Sequence, residues 1–217
     1  LDTVSRKVQE KLNGYIPDKV HNAITIAIKQ MIRGVLFGAK YITKKPVLGR
    51  SLEVCDIAAE EKIKIYQKTA AAEGGVTGAG GILLGLADFP LLLGIKLKLL
   101  FDLAATYGYD VKEYQERLFI LYVFQLAFSS RQQQRLTYQH IANWQETVST
   151  LPTDINQLDW QTLQQEYRDY LDIAKMAQLI PVIGAPVGFV VNYRLVRKLG
   201  NTAKNAYQLR YFQKSGC

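Results

Sequence analysis

Between Gly74 and Ile95 the chain holds 22 residues, of which one, Asp88, is charged and seven are glycine. A run so poor in charge has to be covered, either by the rest of the protein or by lipid. A helix crossing a bilayer needs about 20 apolar residues. This one could cross only by burying Asp88, with Pro90 two residues on, which is costly without a partner. Spacing gives the run a second property. Gly74/Gly78, Gly81/Gly85 and Ala71/Gly75/Ala79 are four-residue pairs, which strip the bulk from one helix ridge and let another backbone approach closely. A second stretch, 176–191, has sixteen residues without charge, broken by Pro181 and Pro186, and carries the pair Gly184/Gly188. Two readings follow: tightly packed buried helices, or re-entrant hairpins whose backbone polar groups stay satisfied. The candidate residues for this apolar segment or cavity are Gly78, Gly81, Gly85, Asp88, Pro90, Gly184 and Gly188.

Around these stretches the pattern is helical. Alternating β-branched runs between turn clusters are almost absent, and six prolines punctuate the chain. A short helix is expected at 2–13 and a second helix from Pro17 to about Thr43. Ser51 caps a third, running through Ala70–Ala72, and Asp88-Phe89-Pro90 marks a fresh start. Tyr107-Gly108 stops that helix, with glycine available for a left-handed turn. Asp110 and Glu113 form a capping arrangement for the helix that carries LFILYVFQLAF (118–128). A Gln-rich helix continues to about Ser149, Thr150–Asn156 is a loop, and Trp160 to about Leu179 is helical again. The stretch IPVIGAPVGFVV (180–191) leads into a basic terminal helix ending near Gln213. The expectation is one all-α domain over 1–217, of about seven or eight helices, with 1–50 as a basic and peripheral N-terminal part.

Charge is distributed unevenly. The net formal charge is +8, with +7 in residues 1–50, −5 in 51–192 and +6 in 193–217. Basic ends suit an anionic partner, nucleic acid or a negatively charged lipid surface. The helix from Pro17 is the most informative amphipathic element. At helical spacing Lys19, Lys29, Arg33, Lys40 and Lys44 fall within an arc of about 80°. Val20, Ile24, Ile28, Met31, Val35 and Ile42 lie on the opposite side. Ile26 and Phe37 sit in or beside the basic arc. Ammonium groups over lipid phosphate, with an aromatic ring entering the headgroup layer, are what an interfacial helix needs. The bland alternative is a solvated face with two exposed hydrophobes. Lys29, Arg33, Phe37, Lys40 and Lys44 are the candidate membrane contacts.

No catalytic pattern accompanies them. The histidines are His21 and His140, and HExxH and CxxC are missing, so no metal site is expected. No serine occupies a GxSxG elbow. GGVTGAGG lacks the lysine and hydroxyl residue of a phosphate loop, and no strand precedes it, so no nucleotide cofactor is expected. Asp88 and Asp102 have the most apolar flanks. Asp88 reads as a helix cap beside Pro90, and Asp102 has Lys98 one turn back as a partner. RRM-like and KH-like signatures are absent, which argues against nucleic acid. Cys55 and Cys217 make no disulfide framework, and a reducing compartment fits them. The opening LDTVSRKVQEKL does not read as a signal peptide.

Two segments, EGGVTGAGGILLGLADFPLLLGIKLKLLFDLAATYGYD (73–110) and LIPVIGAPVGFVVNYRLVRKLGNTAKNAYQLRYF (179–212), resemble the EcsC family. The acidic-glycine opening, the Asp-Phe-Pro step, the Tyr-Gly-Tyr-Asp helix end and the Pro-Gly stretch with Asn192 carry the resemblance. It implies a mostly bacterial helical protein associated with an ABC-transporter operon and with membranes, without agreed catalytic residues. The expected function is a non-enzymatic peripheral membrane or lipid-binding protein at the cytoplasmic face of the cell membrane, accessory to a membrane complex. Its partners would be anionic membrane lipid and either an apolar small molecule or that complex. The alternatives are a hydrolase or other enzyme that acts on an apolar substrate through a buried carboxylate, and a soluble adaptor.

Overall fold

The computed structural model describes residues 26, 29–30, 32–35, 37, 45–79, 81–129, 131–151 and 184–215, with side chains except at 77–90, 131–132, 184–187 and 214–215. The architecture is all-α. Six helices have defined bounds: α1 Leu52–Ala79, α2 Gly81–Thr106, α3 Tyr114–Phe128, α4 Arg131–Ala142, α5 Trp144–Thr150 and α6 Gly184–Ser215. Residues 26, 29–30, 32–35 and 37 are helical as well, and no strand ladder occurs among the described residues.

Local chemistry sets the ends. Ser51 Oγ accepts the Val54 N–H at 3.4 Å and opens α1, as its cap position predicts. Thr106 closes α2 because Gly108 takes a φ of 82°. Tyr109 N then reaches Ala104 O at 2.9 Å and Gly108 N reaches Ala105 O at 3.2 Å, which pairs two carbonyls the helix end would otherwise leave open. The expected cap on α3 sits differently. Asp110 Oδ1 accepts the Lys112 N–H at 2.9 Å and so caps the turn before the helix. Glu113 occupies the N-cap without a side-chain bond.

Two expected boundaries are absent. α1 runs through Gly74, Gly75 and Gly78 without a break, and α2 runs through Asp88 and Pro90. A glycine costs a helix interior about 1 kcal/mol and a proline about 3. Leu92, Leu93, Leu99, Leu100 and Leu103 on the same helix are buried, and burying one leucine side chain is worth about 1.5–3 kcal/mol, so packing outweighs the local penalty. Pro186 lies in the first turn of α6, where a missing N–H leaves no helical carbonyl unpaired. The Gln-rich segment divides at Asn143 into α4 and α5, with Thr147 Oγ1 donating to His140 O across the join at 2.9 Å. The expected 150–156 loop, beyond Leu151, and the 160–179 helix lie outside the described residues.

α3 is buried on nearly all sides, which suits its continuous apolar run. Phe119, Phe124 and Phe128 on α3 pack with Leu99, Leu103 and Ala104 of α2 and Val196, Leu199 and Tyr207 of α6 in one core. α1 lies antiparallel to α6. Asp56 meets Gln208, Glu60 meets Arg197, Gln67 meets Tyr193 and Gly74 meets Gly188.

Candidate functional site

The described helical residues between 26 and 37 turn a mixed face outward. Ile32 and Val35 are fully buried, and a Cβ on Gly34 would lie 3.7 Å from Leu97 of α2. Val35 is on the side the sequence assigns to the core; Ile32 adds to it. Opposite them Ile26 is 61% and Phe37 51% exposed, and Lys29 and Arg33 are exposed between them. The intervals of three, four and four residues place these side chains in one stripe. Lys40 and Lys44 lie outside the described residues. The segment 45–50 follows α2 as well, since Val47 N donates to Ala105 O at 2.9 Å. There Leu48 is 76% exposed, with Lys45 and Arg50 exposed to either side.

The glycine segments meet at a second place. A Cβ on Gly74 would fall 2.4 Å from Asn192 Nδ2 and 2.7 Å from Gly188 O, so only glycine fits against α6 without displacement. Asn192 Nδ2 donates to Gly188 O at 3.2 Å. Its Oδ1 accepts a hydrogen bond of 3.1 Å from Lys96 Nζ, which also donates to Leu92 O at 3.3 Å. Lys96 is 1% exposed, and burial pulls its ammonium down to about 7. Among the described residues no carboxylate pairs with it. Of the candidates on these segments, Gly188 therefore faces a defined contact. Gly78 lies in α1, Gly81, Gly85, Asp88 and Pro90 in α2 and Gly184 at the start of α6, all as helical backbone whose side-chain surroundings lie outside the described residues.

Two further charged groups inside, Asp102 and Arg210, are paired. Asp102, 6% exposed, accepts from Tyr66 Oη at 2.7 Å and from Lys98 Nζ at 2.8 Å, the partner its spacing predicts. Burial raises this carboxyl, but those two donors outweigh it and hold it below its ordinary range. Arg210 makes a bidentate pair with Glu116 at 2.7 and 2.6 Å and stacks 3.9 Å from the Tyr109 ring centroid and 4.3 Å from that of Phe119. A cleft of about 570 Å³ opens between α3, α4 and α6, and no residue of 74–95 or 184–191 lines it. Among the described residues no three His, Cys, Asp or Glu side chains gather as a metal site, and no helix is long and apolar enough to cross a membrane.

Lys96, Arg210 and the cleft belong to no sequence motif. Lys96 does have a pattern: Leu92, Leu93, Leu99, Leu100 and Leu103 stand at −4, −3, +3, +4 and +7 from it, so it lies in the middle of an apolar helix face.

A helical protein is what the sequence resemblance implies, and comparison with known proteins assigns the class. The EcsC protein family model matches residues 1–212, and the chain belongs to the EcsC family. It is 46% identical over 212 residues to a protein named Protein EcsC from Bacillus subtilis (strain 168), covering 97% of this chain and 87% of that protein. It is also 32% identical over 161 residues to the uncharacterized protein YdbA of the same organism, covering 73% of this chain and 58% of that one. No solved structure matches the chain.

Proposed function

We propose that this chain is a non-enzymatic peripheral protein that docks on anionic lipid at the inner face of the cell membrane, through the helical face that carries Ile26, Lys29, Arg33 and Phe37. The observation that carries the reading is the joint exposure of Ile26 and Phe37 with Lys29 and Arg33, above the buried Ile32 and Val35. An apolar pair on either side of two cations inserts its side chains where the ammonium and guanidinium groups meet phosphate. Leu48 between Lys45 and Arg50 extends the same chemistry. The net of +7 in residues 1–50 supplies the long-range attraction. The enzyme alternative finds no support at Asp102. A general acid or base works best with a pKa near the operating pH, and Asp102 is held lower by Lys98 and Tyr66.

Co-sedimentation with vesicles tests the reading. Binding to phosphatidylglycerol vesicles should exceed binding to phosphatidylcholine vesicles and weaken as salt is raised. Each basic residue near the surface is worth about 1 kcal/mol, so replacing Lys29, Arg33, Lys40 and Lys44 together with Glu should lower binding by orders of magnitude. Phe37→Ala should lower it at every salt concentration, because apolar burial is not screened. If the fourfold variant binds phosphatidylglycerol vesicles as well as the wild type, the reading is wrong.

A further inference from the structure

α1 has an inner face that the bundle covers and an outer face that it does not. Ala59, Ile63, Gln67 and Ala70 are buried on the side where α2 and α6 pack. On the opposite side Val54, Ile57, Ile65, Ala72 and Val76 are exposed, with Glu61 and Lys68 among them. At helical spacing these seven fall within an arc of about 100°. The four large aliphatic side chains in the stripe are 45–69% exposed. Val54, Ile65 and Val76 recur at intervals of 11 residues, which is three turns of helix with about 20° over, so the stripe runs nearly straight. From Val54 to Val76 it is about 33 Å long. The outer face of a surface helix is ordinarily polar, and a contiguous exposed apolar strip marks a place where something docks.

The two charges decide what can cover it. Glu61 and Lys68 lie within the stripe, about 10 Å apart along the helix, and make no ion pair among the described residues. A lipid interior would take water from both and give neither a counter-charge. A helix running the opposite way can pair both, and α1 is itself such a helix. Reversing it about Ile65 lays Val54 on Val76, Ile57 on Ala72 and Glu61 on Lys68, to within one residue, and Ile65 on its own copy. Each apolar side chain then meets an apolar one and each charge meets its opposite. Every contact is reciprocal, as a two-fold axis requires. A parallel pair would instead set Glu61 on Glu61 and Lys68 on Lys68, so the charges also choose the orientation.

We propose that two copies of this chain associate through the outer faces of α1, as an antiparallel helix pair with its two-fold axis beside Ile65. Glu61 of each copy pairs with Lys68 of the other, and the aliphatic residues on either side close over the pairs. Glu53, Lys64 and Thr69, the other exposed residues of α1, border the stripe and keep their water. The inner face of α1 stays on α2 and α6, so association leaves the core of each copy unchanged. The contact needs neither the face that carries Lys29 and Arg33 nor a membrane.

The experiment is sedimentation equilibrium of the full chain without lipid, from low to high micromolar concentration. The mass should rise from that of one chain toward that of two and stop there. Ile65→Glu sets a buried charge against its own image and should weaken the dimer about a hundredfold or more. Glu61→Lys and Lys68→Glu each place like charges opposite one another at two points of the dimer, and each should weaken it about tenfold. The chain that carries both reversals has its pairs restored and should dimerise within about threefold of wild type, which no general loss of fold or change of net charge would produce. All three positions are exposed, and circular dichroism should show unchanged helix content in every variant. The proposal is overturned by a chain that stays monomeric at every concentration, whatever else covers the face. It is overturned equally by Ile65→Glu dimerising like wild type, or by single reversals without effect. A double reversal no tighter than the single ones would overturn the antiparallel register and the proposal with it.

Discussion

Two of the cations buried in this bundle, Arg210 and Lys96, are treated in opposite ways. Arg210 is held by both oxygens of Glu116 and lies between the rings of Tyr109 and Phe119. Lys96 sits against two neutral oxygens, Leu92 O and Asn192 Oδ1. At Arg210 burial works to lower the guanidinium pKa, but the Glu116 carboxylate reverses the sign and raises it. At Lys96 nothing reverses the sign, and the ammonium falls to about 7. One end of the bundle therefore contains a permanent ion pair that fixes α3 to α6. The other contains an amine that changes charge near neutral pH, where α1, α2 and α6 come together.

The largest effect should come from breaking the permanent pair. Glu116→Ala leaves the Arg210 guanidinium in a buried site with no counter-charge, which typically costs about 3–5 kcal/mol. Urea unfolding of the variant should show a midpoint lowered to match. A loss under 1 kcal/mol would mean that solvent reaches Arg210 and that the pair is a surface contact.

Lys96→Met should act in the other direction and depend on pH. In the unfolded chain Lys96 stays protonated to its ordinary 10.5, whereas in the fold it releases its proton at about 7. Between those values the unfolded state binds more protons, so stability of the wild type should rise as pH rises. Above pH 10 the trend reverses. Tyr66 and Tyr107, raised by burial and by their carboxylate partners, keep their protons in the fold while the unfolded chain loses them. Between pH 7 and pH 10 the methionine variant should lack most of the rise, a difference of about 2–4 kcal/mol across the window. Its absolute gain at pH 6 is smaller, because Asn192 Oδ1 loses its donor. Unfolding free energies with parallel pH slopes in the two proteins would show that Lys96 does not titrate there.

A third change approaches the same site from α1. Gly74→Ala drives a methyl group to 2.4 Å from Asn192 Nδ2 and 2.7 Å from the Gly188 carbonyl oxygen, and backbone cannot retreat cheaply. Overpacking of this kind costs about 1–3 kcal/mol. Combined with Lys96→Met it should be non-additive, since both act through Asn192. Chemical denaturation of the two single variants and the double variant measures the coupling; strict additivity would separate Gly74 from the lysine.

These sites differ also in how far the sequence announces them. Gly74 and Gly188 stand in runs with few charges and four-residue glycine spacing, so a close helix contact there is legible. So are the Ser51 cap, the Gly108 stop and the Lys98–Asp102 pair, because each is decided by residues within one or two turns. Asp88-Phe89-Pro90 misleads for the same reason. It is a strong local stop, and it is overridden by leucines that bury against α1 and α3, which no local window contains. Arg210 and Glu116 are 94 residues apart, and the cleft needs three helices in place before it exists. The exposed stripe of Ile26, Lys29, Arg33 and Phe37 follows directly from helical spacing; the depth at which Ile32 and Val35 are buried depends on α2.

The smallest expected effect lies at the Arg210 end and asks how complete its pairing is. Tyr207 is 1% exposed, stacks with its centroid 5.4 Å from that of Tyr107 and 5.2 Å from that of Tyr109, and packs 5.2 Å from Phe119. Its hydroxyl has no hydrogen-bond partner among the described residues. Burial, with Glu116 nearby, pushes that hydroxyl well above its ordinary pKa, so it stays neutral at any ordinary pH. A buried hydroxyl without a partner has lost its hydrogen bonds to water and gained none in return, a cost of about 1–3 kcal/mol. Tyr207→Phe keeps the ring, its stacking and its volume, and removes that cost. The variant should therefore be as stable as wild type or more stable by about 1 kcal/mol, with the Glu116–Arg210 pair intact. The comparison is sharpest in the Glu116→Ala background. With Glu116 gone, the uncompensated guanidinium can draw on the nearby hydroxyl, so Tyr207→Phe should cost stability there while costing none in the wild type. A loss of more than about 1 kcal/mol in the otherwise wild-type chain would mean that the hydroxyl has a partner, and that the ion pair is one part of a larger polar network joining α3 to α6.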